Sequence, residues 1–159
     1  MAILFRTFPA VLLSVALAQP LFGASWIDLA ALPSGSYEIT TRLELPHLER
    51  WAIDKTAMVC LSGLSGEGRI PIPILSANNP YATCRAANLV VDSGKLEYDV
   101  VCPGRDAAKA HAVYSLDQDK FAGRVAMVMG GKNMTMTEVQ RARRVGTCSA
   151  AAPEAVTQF

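Results

Sequence analysis

The stretch CRAANLVVDSGKLEYDVVC, residues 84–102, places two alternating runs of apolar and polar residues on either side of a turn sequence. Asp92-Ser93-Gly94 is suited to a three-residue hairpin loop, in which a type I turn is followed by a glycine in the left-handed region. Such a loop pairs Val91 with Lys95. The sequence therefore predicts an antiparallel hairpin with strands at 85–91 and 95–102.

The register of this hairpin sorts apolar from charged side chains. Counting back from the loop gives four pairs on one face: Val90 with Leu96, Asn88 with Tyr98, Ala86 with Val100, and Cys84 with Cys102. The other face collects the charged residues Arg85, Lys95, Glu97 and Asp99. A slip of one residue would invert both faces, so the sorting supports the register. The two cysteines fall at a non-hydrogen-bonded position, where α-carbons lie about 4.5 Å apart. We therefore expect a disulfide between Cys84 and Cys102, which leaves Cys60 for Cys148.

The same alternation extends outward into further strands. Two more hairpins follow the first: pairing Leu116 with Phe121 places Tyr114 over Gly123, and pairing Met129 with Met134 puts Met127 beside Met136. The predicted strands lie near 36–45, 56–61, 85–91, 95–102, 110–116, 121–129 and 134–145. Short helices are expected at 26–32 and 48–55, and a long ordered loop or edge segment at 62–83. The predicted fold is all-β: a single antiparallel meander forming a small curved sheet, barrel or sandwich, with two disulfides and at most short helices.

The N-terminal residues resemble a cleaved secretory signal. Arg6 precedes an uncharged apolar stretch that is too short for a membrane span of about 20 residues. We assign residues 1–24 to the signal peptide, with cleavage after residue 18 or 25 as alternatives, 25–148 to the β domain and 149–159 to a flexible tail. An uncleaved anchor helix is the competing interpretation. After cleavage no transmembrane span is expected.

Composition and charge limit the classes of function. The 159 residues, 51% of them hydrophobic, suffice for one ordinary core. Fifteen Lys and Arg against 14 Asp and Glu leave a net charge of +1, which argues against nucleic-acid binding, because such binding requires concentrated positive charge. An even number of cysteines in an exported chain favours disulfides, and none of their spacings is the short Cys-x2-4-Cys pair of a structural zinc site.

Four motifs resemble a bacterial family of exported proteins, domain of unknown function 3617. They are the opening strand Pro33-Ser34-Gly35-Ser36-Tyr37-Glu38-Ile39-Thr40, Val59-Cys60-Leu61, Val101-Cys102-Pro103, and the ending Arg143-Arg144-Val145-Gly146-Thr147-Cys148. The resemblance covers nearly all of the mature chain. It implies a disulfide-bonded, mostly β domain in the bacterial periplasm or outside the cell, and it supplies no activity and no catalytic residues.

The residues themselves favour a binding or accessory protein over an enzyme. Gly63-Leu64-Ser65-Gly66-Glu67 fails the nucleophile-elbow pattern at its last position, and no catalytic constellation is recognisable. We therefore expect a non-catalytic protein without a cofactor. It would hold an unknown apolar ligand, or a segment of an envelope protein, against a sheet face lined by methionine and aromatic side chains. The candidate site residues are Tyr98, Tyr114, Phe121, Met127, Met129, Met134, Met136 and Trp51.

Two alternative functions are consistent with the sequence. The thioethers of Met127, Met129, Met134 and Met136 would form a Cu(I) site if the predicted register is right, since soft sulfur ligands suit Cu(I). The other alternative is a structural subunit of an envelope complex. That function would require an exposed apolar patch around Trp51 or an open sheet edge.

Overall fold

The structure is a computed structural model that describes residues 32–64, 68–76, 81–104, 107–129 and 134–148. The predicted signal peptide, all but the last residue of the predicted helix at 26–32, the turn at 130–133 and the tail at 149–159 lie outside the described residues.

Seven antiparallel strands form one curved sheet that does not close. They are β1 (Gly35–Glu44), β2 (Asp54–Leu61), β3 (Arg85–Asp92), β4 (Lys95–Val101), β5 (Lys109–Asp117), β6 (Lys120–Val128) and β7 (Thr135–Gly146). Their order across the sheet is β2-β1-β7-β6-β5-β4-β3. Strands β3 to β7 form the predicted meander, and the β1–β2 hairpin adds to it through β7. The all-β prediction is confirmed.

The helix predicted at 48–55 is wrong. The only helical turn within the described residues is a 3-10 turn at Glu49–Trp51. Lys55 belongs to β2, where it pairs with Thr41 of β1. The helical spacing of a few apolar residues did not outweigh the ladder of hydrogen bonds that β1 offers to this segment. No helix in the described part of the chain is long and apolar enough to cross a membrane.

The β3–β4 turn differs from the prediction by one residue. Asp92 pairs with Lys95, so the loop contains two residues, Ser93 and Gly94, and not three. Both have positive φ angles, 48° and 78°. A two-residue loop of this kind is favoured because its twist matches that of the flanking strands. As a result Val91, and not Val90, stands opposite Leu96.

A β-bulge in β3 shifts the pairing by one residue, which restores the predicted register before the cysteines. Ala87 pairs with Asp99 and Val90 with Glu97, so Asn88 and Leu89 together oppose Tyr98. The predicted pairings of Asn88 with Tyr98 and of Val90 with Leu96 are therefore wrong, and Val90 is exposed. Asn88 adopts a φ of 52°, which asparagine tolerates better than most residues.

Both predicted disulfides are present. Beyond the bulge Ala86 pairs with Val100 as predicted, and Cys84 is bonded to Cys102 with α-carbons 4.2 Å apart. Cys60 on β2 is bonded to Cys148, just after β7. The remaining hairpin predictions are also confirmed, since Leu116 pairs with Phe121, and Met127 with Met136.

The core lies on one side of the sheet, which we call the inner face. Its largest buried side chains come from most of the strands and include Tyr37, Ile39, Leu96, Tyr98, Tyr114, Val125 and Met127. An aromatic row crosses it: ring centroids lie 6.1 Å apart between Tyr98 and Tyr114, and 5.6 Å between Tyr114 and Phe121. The opposite side, which we call the outer face, carries the exposed and charged residues that alternate with these.

Residues 68–76 and 81–84, which we call the inner segment, cover the inner face. Ile72, Ile74 and Tyr81 are buried in the same core cluster as the strand residues. The Ala86 amide donates a hydrogen bond to the Gly68 carbonyl, which fastens the inner segment to the start of β3. The region predicted as a long loop is thus the second layer of the domain.

Candidate functional site

The aromatic residues predicted to bind a ligand are core residues. Tyr98, Tyr114 and Phe121 are buried on the inner face, beneath the chain's own inner segment. The Tyr98 hydroxyl donates a hydrogen bond of 2.8 Å to the Ile72 carbonyl. Burial raises the pKa of both tyrosine hydroxyl groups, so both stay protonated at neutral pH. The face where the sequence analysis expected an apolar ligand therefore holds an apolar segment of the same chain.

A buried glutamate holds that segment in place. Glu138 of β7 has no exposed surface, and its two carboxylate oxygens accept hydrogen bonds from the Leu75 and Ser76 amides, at 2.8 and 2.7 Å. The neighbouring Gln140 side chain donates to Glu138 and to the Pro73 carbonyl. Two polar side chains in the centre of the sheet thus form hydrogen bonds with backbone amide and carbonyl groups of a segment that has no strand partner of its own.

The four methionines are close along the β6–β7 hairpin but differ in exposure. Met127 is buried, Met129 and Met136 are partly buried, and Met134 is exposed. The Met129 sulfur accepts a hydrogen bond from the Tyr81 hydroxyl at 3.9 Å. No group of three or more His, Cys, Asp or Glu side chains in the described ranges is arranged to hold a metal ion. The Cu(I) site, which needs none of those residues, stays a prediction.

Trp51 lies apart from the other predicted site residues. It is 68% exposed at the 3-10 turn before β2, and the Arg50 guanidinium lies over its ring, 5.3 Å from the ring centroid. Leu48 and Ile53 beside it are exposed as well. The apolar patch around Trp51 therefore exists, and it adjoins an edge strand of the sheet.

A groove on the outer face was not predicted. It has a volume of about 650 Å³ and crosses four adjacent strands, β4 to β7. Each strand contributes three consecutive residues, and we call the space over them the outer groove: Asp99–Val101, Lys109–His111, Ala126–Val128 and Thr135–Thr137. The groove forms because Ala126 lies in its floor while the longer side chains Val101, Lys109 and His111 stand on neighbouring strands in register with β6.

Apolar and charged groups divide the outer groove. Val101 and Val128, both exposed, lie on one side of the groove, with Lys109 opposite both of them on the strand between. On the other side, His111 Nδ1 lies 2.8 Å from an Asp99 carboxylate oxygen. Hydrogen bonds from Asn88 and from His111 lower the pKa of Asp99, so this carboxylate stays charged and engaged at neutral pH. Lys109 forms no ion pair among the described residues, which leaves it the unneutralised charge of the groove.

Sequence reasoning missed the outer groove because its residues read as a solvated face. Asp99, Lys109 and His111 alternate with buried residues, as any half-exposed strand does. The register of the strands could have revealed it, because the pairing of β4 with β5 and of β5 with β6 aligns Val101 with Lys109 and Lys109 with Val128. Two exposed valines, on β4 and β6, then flank one lysine on β5.

Comparisons with known proteins identify the family. The model of the family described as "Protein of unknown function (DUF3617)" matches residues 32–148. The chain belongs to this family. The DUF3617 match begins just before β1 and ends at Cys148, so it includes all seven strands and both disulfides. No curated protein and no solved structure matches this DUF3617 chain.

Proposed function

We propose that this protein is a non-catalytic, exported binding protein that holds an apolar ligand with an acidic group in the outer groove. The observation that carries the proposal is the groove itself, with about 650 Å³ of concave space and a largely apolar lining. Small-molecule sites are typically concave, mostly apolar and about 300–1,000 Å³ in volume, with few polar groups. The proposal keeps the apolar-ligand function expected from the sequence and moves its site to the outer face.

The rim of the outer groove favours an acidic ligand. Lys109 lies between Val101 and Val128 in the strand register, so an anionic group bound by its ammonium would leave an attached hydrocarbon chain over apolar side chains. Asp99 would repel an anion, but it is already engaged by Asn88 and His111. A long-chain fatty acid has this combination of one charge and an apolar body.

Two disulfides support the exported part of the proposal. Structural disulfides persist in oxidising compartments and are rare where thiols are kept reduced. The described cysteines are all paired, as Cys60–Cys148 and Cys84–Cys102. We place the protein in the bacterial periplasm or outside the cell.

The experiment is a titration of the mature protein with a fluorescent polyunsaturated fatty acid, cis-parinaric acid. We expect saturable binding with a dissociation constant of about 0.1–10 µM, as for a groove that buries most of a ligand. The variant Ala126→Trp fills the floor of the outer groove and should abolish binding. Its control is Ala122→Trp, an exposed alanine on the same strand and the same face but outside the groove.

A second pair of probes tests the charge. Lys109→Gln should weaken binding of the fatty acid about tenfold and leave binding of the corresponding alcohol unchanged, because only the acid has a charge to lose. The proposal fails if the wild-type protein shows no saturable binding. It also fails if Ala126→Trp binds as well as Ala122→Trp, since the ligand would then lie elsewhere.

A further inference from the structure

Strand β2 is a regular, open edge of the sheet. It pairs with β1 from Asp54 to Leu61 without interruption, and it has no second ladder partner among the described residues. Its first five residues, Asp54–Met58, are all exposed. An edge of this kind presents a row of unpaired amide and carbonyl groups to any extended chain.

The opposite edge of the sheet, strand β3, is interrupted. Strand β3 is bent by the bulge at Asn88 and Leu89, which interrupts the straight row of donors and acceptors. At its start the Ala86 amide already donates to the Gly68 carbonyl of the inner segment, at 3.1 Å. A partner strand therefore finds a continuous edge on β2 and an interrupted one on β3.

Exposed apolar side chains border the open edge. Ile53 is 77% and Met58 57% exposed, and Trp51 lies two residues before Ile53. Monomeric proteins usually protect an open edge with charges or a bulge and avoid grouping large apolar residues beside it. Here the charges are few. They are Asp54, which is paired with Arg42 at 2.6 Å, and Lys55.

We propose that β2 pairs with β2 of a second copy of the chain, antiparallel about a two-fold axis, to give a closed homodimer with one continuous sheet. The difference between the two edges favours a second copy of the chain as the partner of β2. Pairing of β2 with β3 would propagate from molecule to molecule, but the interrupted β3 edge disfavours it. Pairing of β2 with β2 uses the same edge twice and gives a closed dimer.

Charge and the disulfide fix the register of this pairing. Centring the two-fold axis on Asp54 or Lys55 would set like charges directly opposite each other, which destabilises a strand pair. The Cys60–Cys148 disulfide brings the end of the described chain to the far end of β2. The exposed part of β2, Asp54–Met58, is centred on Thr56. That register sets Thr56 opposite itself, Lys55 opposite Ala57, and Asp54 opposite Met58.

Sedimentation velocity of the full mature protein tests the dimer. We expect reversible dimerisation between about 1 and 100 µM, the range of a modest homodimer interface. Thr56→Lys sets two ammonium groups together at the two-fold axis and should weaken the dimer at least about tenfold. Ser115→Lys is the control, because Ser115 is exposed on β5, which has ladder partners on both sides.

Cross-linking tests the register separately. Thr56→Cys should form a disulfide-linked dimer on a non-reducing gel, and Ser115→Cys should remain a monomer, because only the first pair of thiols meets across the axis. A wild-type protein that stays monomeric throughout the concentration range overturns the proposal. So does a Thr56→Lys variant that dimerises like Ser115→Lys, or a Thr56→Cys variant that yields no linked dimer. Fatty-acid binding is measured independently, so neither proposal depends on the other.

Discussion

Gly123 lies on the inner face of β6 directly opposite Tyr114, and the tyrosine ring occupies the space that a side chain at position 123 would fill. A Cβ atom placed on Gly123 would come within 2.6 Å of the Tyr114 ring and of the Val113 carbonyl oxygen. Both neighbours are parts of the sheet that cannot move far, because the ring is fully buried and its hydroxyl donates to Gln140. Glycine in a strand often marks such a close approach.

At the residue scale we therefore predict that Gly123→Ala destabilises the domain by about 1–3 kcal/mol, the usual cost of overpacking a core. The midpoint of urea unfolding measures this change. Ala122→Val, on the exposed side of the same strand, should change stability by less than about 0.5 kcal/mol. Equal midpoints for Gly123→Ala and the wild type would show that the ring can move away.

The errors in the predicted β3–β4 hairpin are each one residue in size. The turn sequence allowed a three-residue loop, whereas Ser93 and Gly94 alone form the loop. This error of one position would have displaced the cysteines, but the bulge at Asn88 adds one residue to β3 and restores their pairing. The Cys84–Cys102 disulfide was thus predicted correctly through two local differences that cancel, since alternation alone does not reveal a bulge.

At the scale of elements, alternation was enough to find the seven strands and not enough to find the inner segment. Strands with one buried face repeat every two residues, and their hairpins follow from short turns. Ile72 and Ile74 lie in a segment without strand or helix, so no periodicity indicates which surface they cover. The segment is held by long-range hydrogen bonds between its backbone and the side chains of Glu138 and Gln140, and the spacing of residues in the sequence cannot reveal such bonds.

The same hydrogen bonds give a prediction about the inner segment. Glu138→Ala removes the acceptors of the Leu75 and Ser76 amides and leaves these partly buried groups without their partners, at about 1–3 kcal/mol per group. We expect a total loss of about 3 kcal/mol in urea unfolding and faster tryptic cleavage after Arg69. Glu97→Ala, at an exposed glutamate of the outer face, serves as the control and should have little effect on either measurement. Unchanged cleavage after Arg69 in Glu138→Ala would contradict the role assigned to this carboxylate.

At the scale of the whole molecule, all four tyrosines of the chain report on the same folded state. Tyr37, Tyr81, Tyr98 and Tyr114 are buried, and burial raises the pKa of each above its ordinary value of 10.0. The folded state therefore holds these protons more tightly than the unfolded chain does. Their contribution to stability is fully present below about pH 10 and is lost as the pH rises through the raised pKa values.

We predict that phenolate absorbance stays flat through pH 10 and then rises together with the loss of circular dichroism. The chain unfolded in guanidinium should instead titrate near its ordinary value of 10.0, which provides the control. Phenolate absorbance that rises with a midpoint near pH 10 while the circular dichroism stays native would contradict the burial of these side chains.

The disulfide between Cys60 and Cys148 has a mechanical consequence. Tension applied between Leu32 and Cys148 travels along the backbone through β1 and β2 to Cys60, and there it crosses the sulfur bridge directly to Cys148. Residues 61–147 form a covalent loop outside the path of the load. A pull can therefore lengthen the backbone only between residues 32 and 60, and the chain of the meander, the inner segment and the outer groove cannot be extended end to end until the bridge is reduced.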